Sequence, residues 1–180
     1  MKLLIDACVL YPTVMREMLI GVAGHGMFTP HWSARVLEEW ARATRKLGPE
    51  AEVFARGEIA LLQARFPRAQ VNYPPEAERK LWLPDPDDIH VLAAAVAGSC
   101  DAIVTMNAKD FPRNILFEEG LTRIDPDGFL RDLWQQSPES IQDVAARVLN
   151  TANQLSQSQW QLRPLLKKAR LPRLAKALTA

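Results

Sequence analysis

The stretch Asp87-Asp88-Ile89-His90-Val91-Leu92-Ala93-Ala94-Ala95-Val96-Ala97-Gly98, followed after three residues by Ala102-Ile103-Val104-Thr105, decides the fold. Two acids ahead of an apolar, alanine-rich run suit the positive end of a helix, and Gly98 suits its stop. The second run is too short for a helix and lacks alternation, so it reads as a strand buried on both faces. A run of the same kind, Lys2-Leu3-Leu4-Ile5, lies near the N-terminus and ends in Asp6. Buried strands alternating with helices imply right-handed crossovers and a parallel sheet with helices on both faces. The expected class is therefore α/β, a three-layer arrangement around a short parallel sheet. Ligands of such sheets bind beyond the carboxyl ends of the strands.

Outward from these anchors, Pro12 fits a helix start, and Val14, Met15, Met18, Leu19 and Val22 recur at helical spacing until Gly24 and Gly26. Met27-Phe28-Thr29 reads as a second strand. Ser33 is the expected N-cap of a helix running towards Gly48, with Val36, Leu37, Trp40, Thr44 and Leu47 on its core face. Pro49 opens a further helix carrying Val53, Phe54, Leu61 and Leu62, which Pro67 ends. Residues 71–86 are proline-rich and read as loop, with a brief strand near Val71. Beyond Pro126, Phe129, Leu130, Leu133 and Trp134 predict one helix, and Ile141, Val144, Ala145, Val148 and Leu149 another. The Gln/Ser/Asn-rich connector 150–161 reads as a loop or weak helix end. Leu162, Leu165, Leu166 and Ala169, then Leu174, Ala175 and Leu178, complete an amphipathic tail. A boundary near Gln136 separates a main domain, 1–135, from a helical extension, 136–180.

Charge divides the chain in the same place. Residues 1–136 hold 15 Lys/Arg against 19 Asp/Glu, and residues 137–180 hold 7 against 2. An acidic body repels a phosphate backbone unless divalent cations intervene, whereas a basic tail attracts one directly. The alternative for the tail is a solvated helix face. At 48% hydrophobic and 24% charged, the composition excludes collagen, coiled-coil rods and disordered tails. No window reaches the roughly 18 apolar residues of a membrane span, and the N-terminus lacks the features of a signal peptide, so the expected location is the cytoplasm, with no membrane partner. Cys8 and Cys100 share no metal-type spacing and read as free thiols. His25, His31 and His90 are too scattered for a zinc site and read as structural or surface residues. The five tryptophans read as core or interface anchors.

Four acids matter because of where this outline puts them. Asp6 ends the first strand, Asp88 starts a helix, and Asp110 follows the strand that ends at Thr105; all three face one edge of the sheet. Glu38 and Glu39 are adjacent on the helix after Ser33, and at 100° per residue Glu39 flanks the core face while Glu38 lies opposite, so Glu39 is chosen. Asp85 and Asp87 are substitutes for Asp88. Converging carboxylates repel one another and are costly to leave ionised unless a cation neutralises them. A hard divalent ion, Mg²⁺ or Mn²⁺, fits oxygen ligands and the phosphate oxygens of a substrate, and its chemistry is phosphodiester hydrolysis.

Asp6-Ala7-Cys8-Val9-Leu10, Leu37-Glu38-Glu39-Trp40, Asp85-Pro86-Asp87-Asp88 and Val104-Thr105-Met106-Asn107-Ala108-Lys109-Asp110-Phe111-Pro112, in this order, resemble the successive signatures of a PIN domain, and more narrowly of VapC-type toxin ribonucleases. The resemblance implies a Mg²⁺- or Mn²⁺-dependent endoribonuclease cutting RNA, with Asp6, Glu39, Asp88 and Asp110 as catalytic and metal-holding acids and Thr105, Asn107 and Asp85 in support. It also implies products with a 5′ phosphate and a 3′ hydroxyl, a cognate antitoxin and a homodimer. Cys8 stands where many members carry Asn or Ser, and Asn107 where some carry an acid. The tail resembles the helical extension of some larger VapC-like proteins, and its Arg163, Lys167, Lys168, Arg170, Arg173 and Lys176 are candidate RNA contacts. The competing class is a PIN-like binding module without cleavage, holding nucleic acid or protein; a DNA nuclease or phosphatase with the same metal is a second enzyme alternative. Taken singly, each acid has a structural role open to it, as a turn cap, an N-cap or a solvated helix acid.

Overall fold

In a computed structural model, which describes residues 1–179, the run Lys2–Ile5 forms strand β1, with Leu3, Leu4 and Ile5 fully buried. A strand with no polar residue in its middle must have neighbours on both edges and cover on both faces, and β1 is central in a five-stranded parallel sheet of order β3-β2-β1-β4-β5. The other strands are β2 (Thr29–Ser33), β3 (Gln70–Val71), β4 (Ala102–Val104) and β5 (Thr122–Ile124). Leu3, Leu4 and Ile5 pair with Ala102, Ile103 and Val104 of β4 on one side, and Lys2, Leu3 and Leu4 with Thr29, Pro30 and His31 of β2 on the other. The chain builds outward from β1 through β2 to β3, then returns to lay β4 and β5 on the opposite side. That reversal makes a topological switch point between β1 and β4, at whose carboxyl ends stand Asp6 and Thr105.

The helices are α1 (Ala7–Leu10), α2 (Thr13–Gly24), α3 (Ala34–Ala43), α4 (Pro49–Arg65), α5 (Ile89–Ala97), α6 (Arg113–Glu118), α7 (Pro126–Gln136), α8 (Pro138–Ser156), α9 (Leu162–Lys168) and α10 (Pro172–Leu178). Ser33 caps α3 by accepting the Val36 N–H at 3.2 Å. α5 packs on β1, β2 and β4, with His90, Val91, Leu92, Ala93, Ala94 and Ala95 all buried. Its small residues let it lie close to the sheet.

The structure corrects several expectations. The second strand is Thr29–Ser33, not Met27–Thr29. Pro30 disguises it, yet β3 pairs only with Trp32 and Ser33, so the missing N–H of Pro30 interrupts no ladder with β3. Leu47 is exposed, because the chain tightens into a 3-10 turn at Thr44–Leu47 and the α period no longer applies. Leu62 of α4 is buried as a core residue, but Val53, Phe54 and Leu61 are exposed. α8 runs on to Ser156, so the first half of the 150–161 connector, which reads as a loop or weak helix end, is the end of a helix. Trp32 and Trp40 are in the core, whereas Trp82 is exposed.

The chain forms two compact units, Met1–Tyr11 with Thr29–Ile124, and Pro12–Phe28 with the chain from Asp125 on. They part at Ile124 rather than near Gln136, and α2 and α7 join the C-terminal helices. The first unit holds the sheet with α3 to α6. In the second, Gly21 of α2 lies so close to Val144 of α8 that a Cβ would meet the valine side chain at 2.5 Å, which is why this helix contact requires glycine. Phe28 meets Phe129 edge-on at 5.4 Å. Asp127, buried on α7, accepts the backbone N–H groups of Arg173 and Leu174 at 2.9 and 3.0 Å, capping α10 from a different helix. No helix among the described residues is long and apolar enough to cross a membrane.

Candidate active site

Asp6 is placed by the sheet. Its N–H continues the ladder to the Val104 carbonyl at 3.1 Å, and its own carbonyl accepts the first N–H bonds of α1, from Val9 and Leu10. Its side chain caps nothing; Oδ2 accepts the Thr105 hydroxyl at 2.7 Å and the Cys8 thiol at 3.0 Å. Burial, reinforced by the neighbouring Asp6 charge, pushes the Cys8 thiol up to about 12, so it stays protonated and able to donate. Its sulfur also accepts the Met106 N–H at 3.3 Å. Cys8 therefore supplies a donor to Asp6 where an Asn or Ser would do so.

Asp88 sits at the N-terminus of α5 without capping it, while Asp85 caps the preceding 3-10 turn by accepting the Asp87 N–H at 3.0 Å. The division of labour leaves the Asp88 carboxyl for the crevice. Asn107 donates its amide to Asp88 Oδ2 at 3.0 Å, and its own N–H goes to Thr105 Oγ1 at 2.9 Å. Asp110 is carried by the loop after β4, which is anchored twice. Phe111 is fully buried, and Arg123 of β5 donates to the carbonyls of Ala108 and Phe111 at 2.5 and 2.8 Å.

The outcome is a group of three carboxylates, Asp85, Asp88 and Asp110, whose ligand oxygens lie within 4.8 Å of one another. Asp6 is outside that tight group but close enough that its charge acts on Asp88. Burial first, then the charges of Asp6, Asp85 and Asp110, raise Asp88 to about 6. Glu39 is not brought into the group. Its Oε1 lies 3.4 Å from Arg35 Nε and 2.8 Å from Nε2 of His90, whose ring is fully enclosed. The His90 approach is off the line of a hydrogen bond, and Nδ1 has no partner either. Glu38 is held on the outer side by Arg42 and Arg56. Asp87 is exposed, with its carbonyl accepting from Arg35 at 3.4 Å.

The family model for the PIN domain matches residues 2–109, more than half of the sequence. The chain belongs to the PIN domain family. No curated protein and no solved structure matches it. PIN domains are generally nucleases and typically use a divalent metal, and the donors present here fit one. They are all carboxylate oxygens, they crowd within reach of a single ion, and burial together with the charges of its neighbours pushes one of them, Asp88, up to about 6. In this PIN domain Asp110 stands one residue beyond the matched span.

Three participants escape the sequence pattern in whole or part. Asp85, a substitute by spacing, is a full member of the group. His90, which reads as a structural or surface residue, touches Glu39 across two helices, a meeting no spacing rule encodes. Arg123, inside a short strand with no apolar run to reveal it, fixes the Asp110 loop. The basic residues Arg163, Lys167, Lys168, Arg170 and Arg173 of the second unit are exposed; Lys168 stacks over Trp160 at 4.8 Å, and Arg173 lies 3.7 Å from Asp125.

The raised Asp88 carboxyl has a pH signature. Between about pH 4 and pH 6 the folded metal-free chain retains a proton that the unfolded chain releases, so the Asp88 contribution to stability falls as pH rises through that window. A divalent cation removes this penalty by competing with the proton. Thermal melts are expected to show Mn²⁺ raising Tm at pH 7.5 and losing most of that effect at pH 5; an equal shift at both values would exclude Asp88 from the cation site.

Proposed function

We propose that this PIN domain is a Mg²⁺- or Mn²⁺-dependent endoribonuclease of the VapC toxin type, neutralised by a cognate antitoxin in the cytoplasm. The observation that carries the reading is the gathering of Asp85, Asp88 and Asp110 beside buried Asp6 at the switch point of the sheet. Asp6, Asp88 and Asp110, with Asp85, would hold the ion and the scissile phosphate, while Glu39 stands apart from them against Arg35 and His90. A bound ion supplies a more acidic water and offsets negative charge on the departing 3′ oxygen. Thr105, Cys8 and Asn107 keep Asp6 and Asp88 oriented, and the Arg123 clamp holds Asp110 to them. The exposed cations of α9 and α10, Arg163 and Lys167 among them, offer RNA candidate phosphate contacts.

The test is substrate choice. Purified protein with Mn²⁺ is expected to cut single-stranded RNA and leave single-stranded DNA and a phosphate monoester intact. Cleavage of DNA alone would overturn the RNA assignment, and no cleavage despite a Mn²⁺-raised Tm would favour the binding-module reading. His90→Phe keeps a planar ring, somewhat larger than the imidazole, and removes both nitrogens; it is expected to slow RNA cleavage about tenfold in the natural chain and much less in a Glu39→Gln background. Equal losses in both backgrounds would show that His90 does not act through Glu39.

A further inference from the structure

At the β5 edge of the sheet, α6 and β5 border a pocket of about 310 Å³, lined by Arg113, Phe117, Leu121, Thr122 and Arg123 and contained in the first unit. The turn between the two elements creates it. Gly120 takes a left-handed φ of +72°, and the Leu121 N–H reaches back to the Leu116 carbonyl at 2.8 Å, which closes α6 and sends β5 along its side. Arg113 and Phe117, one helical turn apart on α6, share a face. Both are exposed, Phe117 to 78%, while Leu121 is buried. The volume lies at the small end of ligand sites and suits a single nucleotide-sized molecule.

The lining carries two cations and no acid. Arg123 commits Nη1 to the Ala108 and Phe111 carbonyls, which leaves the donors on Nε and Nη2. Among the described residues no carboxylate pairs with Arg113 or Arg123, and Glu118 and Glu119, close in sequence, do not line the pocket. Two guanidinium groups in so small a space repel one another, and an anion with several oxygens relieves that repulsion while matching the fork of each. Phe117 adds an open aromatic face on which a flat ring can stack. Leu121 and Thr122 contribute an apolar wall and a hydroxyl. A ligand that meets all of these joins a flat ring to a phosphate through a short spacer, as a nucleoside phosphate does. Bare phosphate would leave Phe117 uncovered, and an apolar peptide would leave two charges unmatched.

We propose that the pocket between α6 and β5 is a nucleotide-binding site that takes one nucleoside phosphate, its base against Phe117 and its phosphate between Arg113 and Arg123. The nucleotide is either free or one unit of an RNA strand, since the same contacts serve both. The site stands on residues outside the acidic group, needs no metal and does not depend on the nuclease reading. Arg123 also clamps the Asp110 loop, so Arg113 and Phe117 are the residues to change.

The experiment is an amide NMR titration of the full chain with adenosine 5′-monophosphate in EDTA, where no cation can bridge the ligand to the acidic group. Shifts are expected to concentrate in residues 113–123 and to saturate. Adenosine and inorganic phosphate, each offering half of the recognition, are expected to bind about tenfold more weakly or worse. Phe117→Ala and Arg113→Ala, at positions exposed in the folded chain, are each expected to weaken the monophosphate about tenfold, and Phe117→Tyr to bind it like the parent. A four-nucleotide RNA that displaces the monophosphate would assign the pocket to an RNA strand; one that leaves it bound would assign the pocket to free nucleotides. No saturable shift in 113–123 up to about 10 mM ligand would overturn the proposal. So would binding that survives both Phe117→Ala and Arg113→Ala, or adenosine or inorganic phosphate binding as tightly as the monophosphate.

Discussion

Asp6→Asn is expected to lower metal-dependent RNA cleavage by about a hundredfold or more while leaving the protein folded. The Thr105 and Cys8 donors both bind Oδ2, and an asparagine oxygen in that place accepts them equally well. The amide nitrogen then replaces Oδ1, putting a donor where a cation needs an oxygen lone pair. Removing the Asp6 charge also relieves one of the causes that raise Asp88, so the Asp88 carboxyl is expected to titrate below about 6 and the metal-free protein to melt no lower than the parent. Nuclease assays beside a metal-free melt separate the two effects. Cleavage within threefold of the parent would remove Asp6 from the site.

The second large effect concerns stability in the other unit. Asp127→Ala deletes the one carboxylate that caps α10, orphaning the N–H groups of Arg173 and Leu174 next to the buried Leu174 and Ala175. Charge-assisted bonds to backbone donors in a buried setting are worth about 1.5–3 kcal/mol each, and exposure of the freed donors to water recovers part of that. A net loss of about 2–4 kcal/mol is expected in urea denaturation, with amide exchange in 172–178 accelerated before the rest of the chain. Asp127→Asn is expected to fall between, since one oxygen remains to accept. Exchange rates in α10 unaltered by Asp127→Ala would show that the cap contributes nothing.

Local signals explain what can be read in advance. Lys2–Ile5 and Ala102–Val104 carry no polar residue at their centres, and a strand of that kind has only one environment available to it, the middle of a covered parallel sheet. Asp6 and Asp88 follow from those elements because the ends of buried strands and helices are set by the elements themselves. β2 lies beyond its expected place because Pro30 argues against a strand until the shortness of β3 is known. β5, with Arg123 at its centre, has no pattern of its own and exists because β4 offers it an edge. Asp85 and Asp88 are both acids ahead of one helix, and which of them caps depends on the 3-10 turn between them. The Glu39–His90 contact and the outer face of α4 are properties of packing, settled by which neighbours arrive and which do not.

The strand order has a temporal consequence. Asp6 and Thr105 touch although 99 positions separate them in the chain, and Asp110 comes later still. During synthesis β1 emerges first and waits for β4, so the pocket cannot close until nearly the whole first unit has left the ribosome. A polypeptide interrupted before Ala102 has Asp6 but neither Thr105 nor Asp110, and so cannot assemble the acidic pocket.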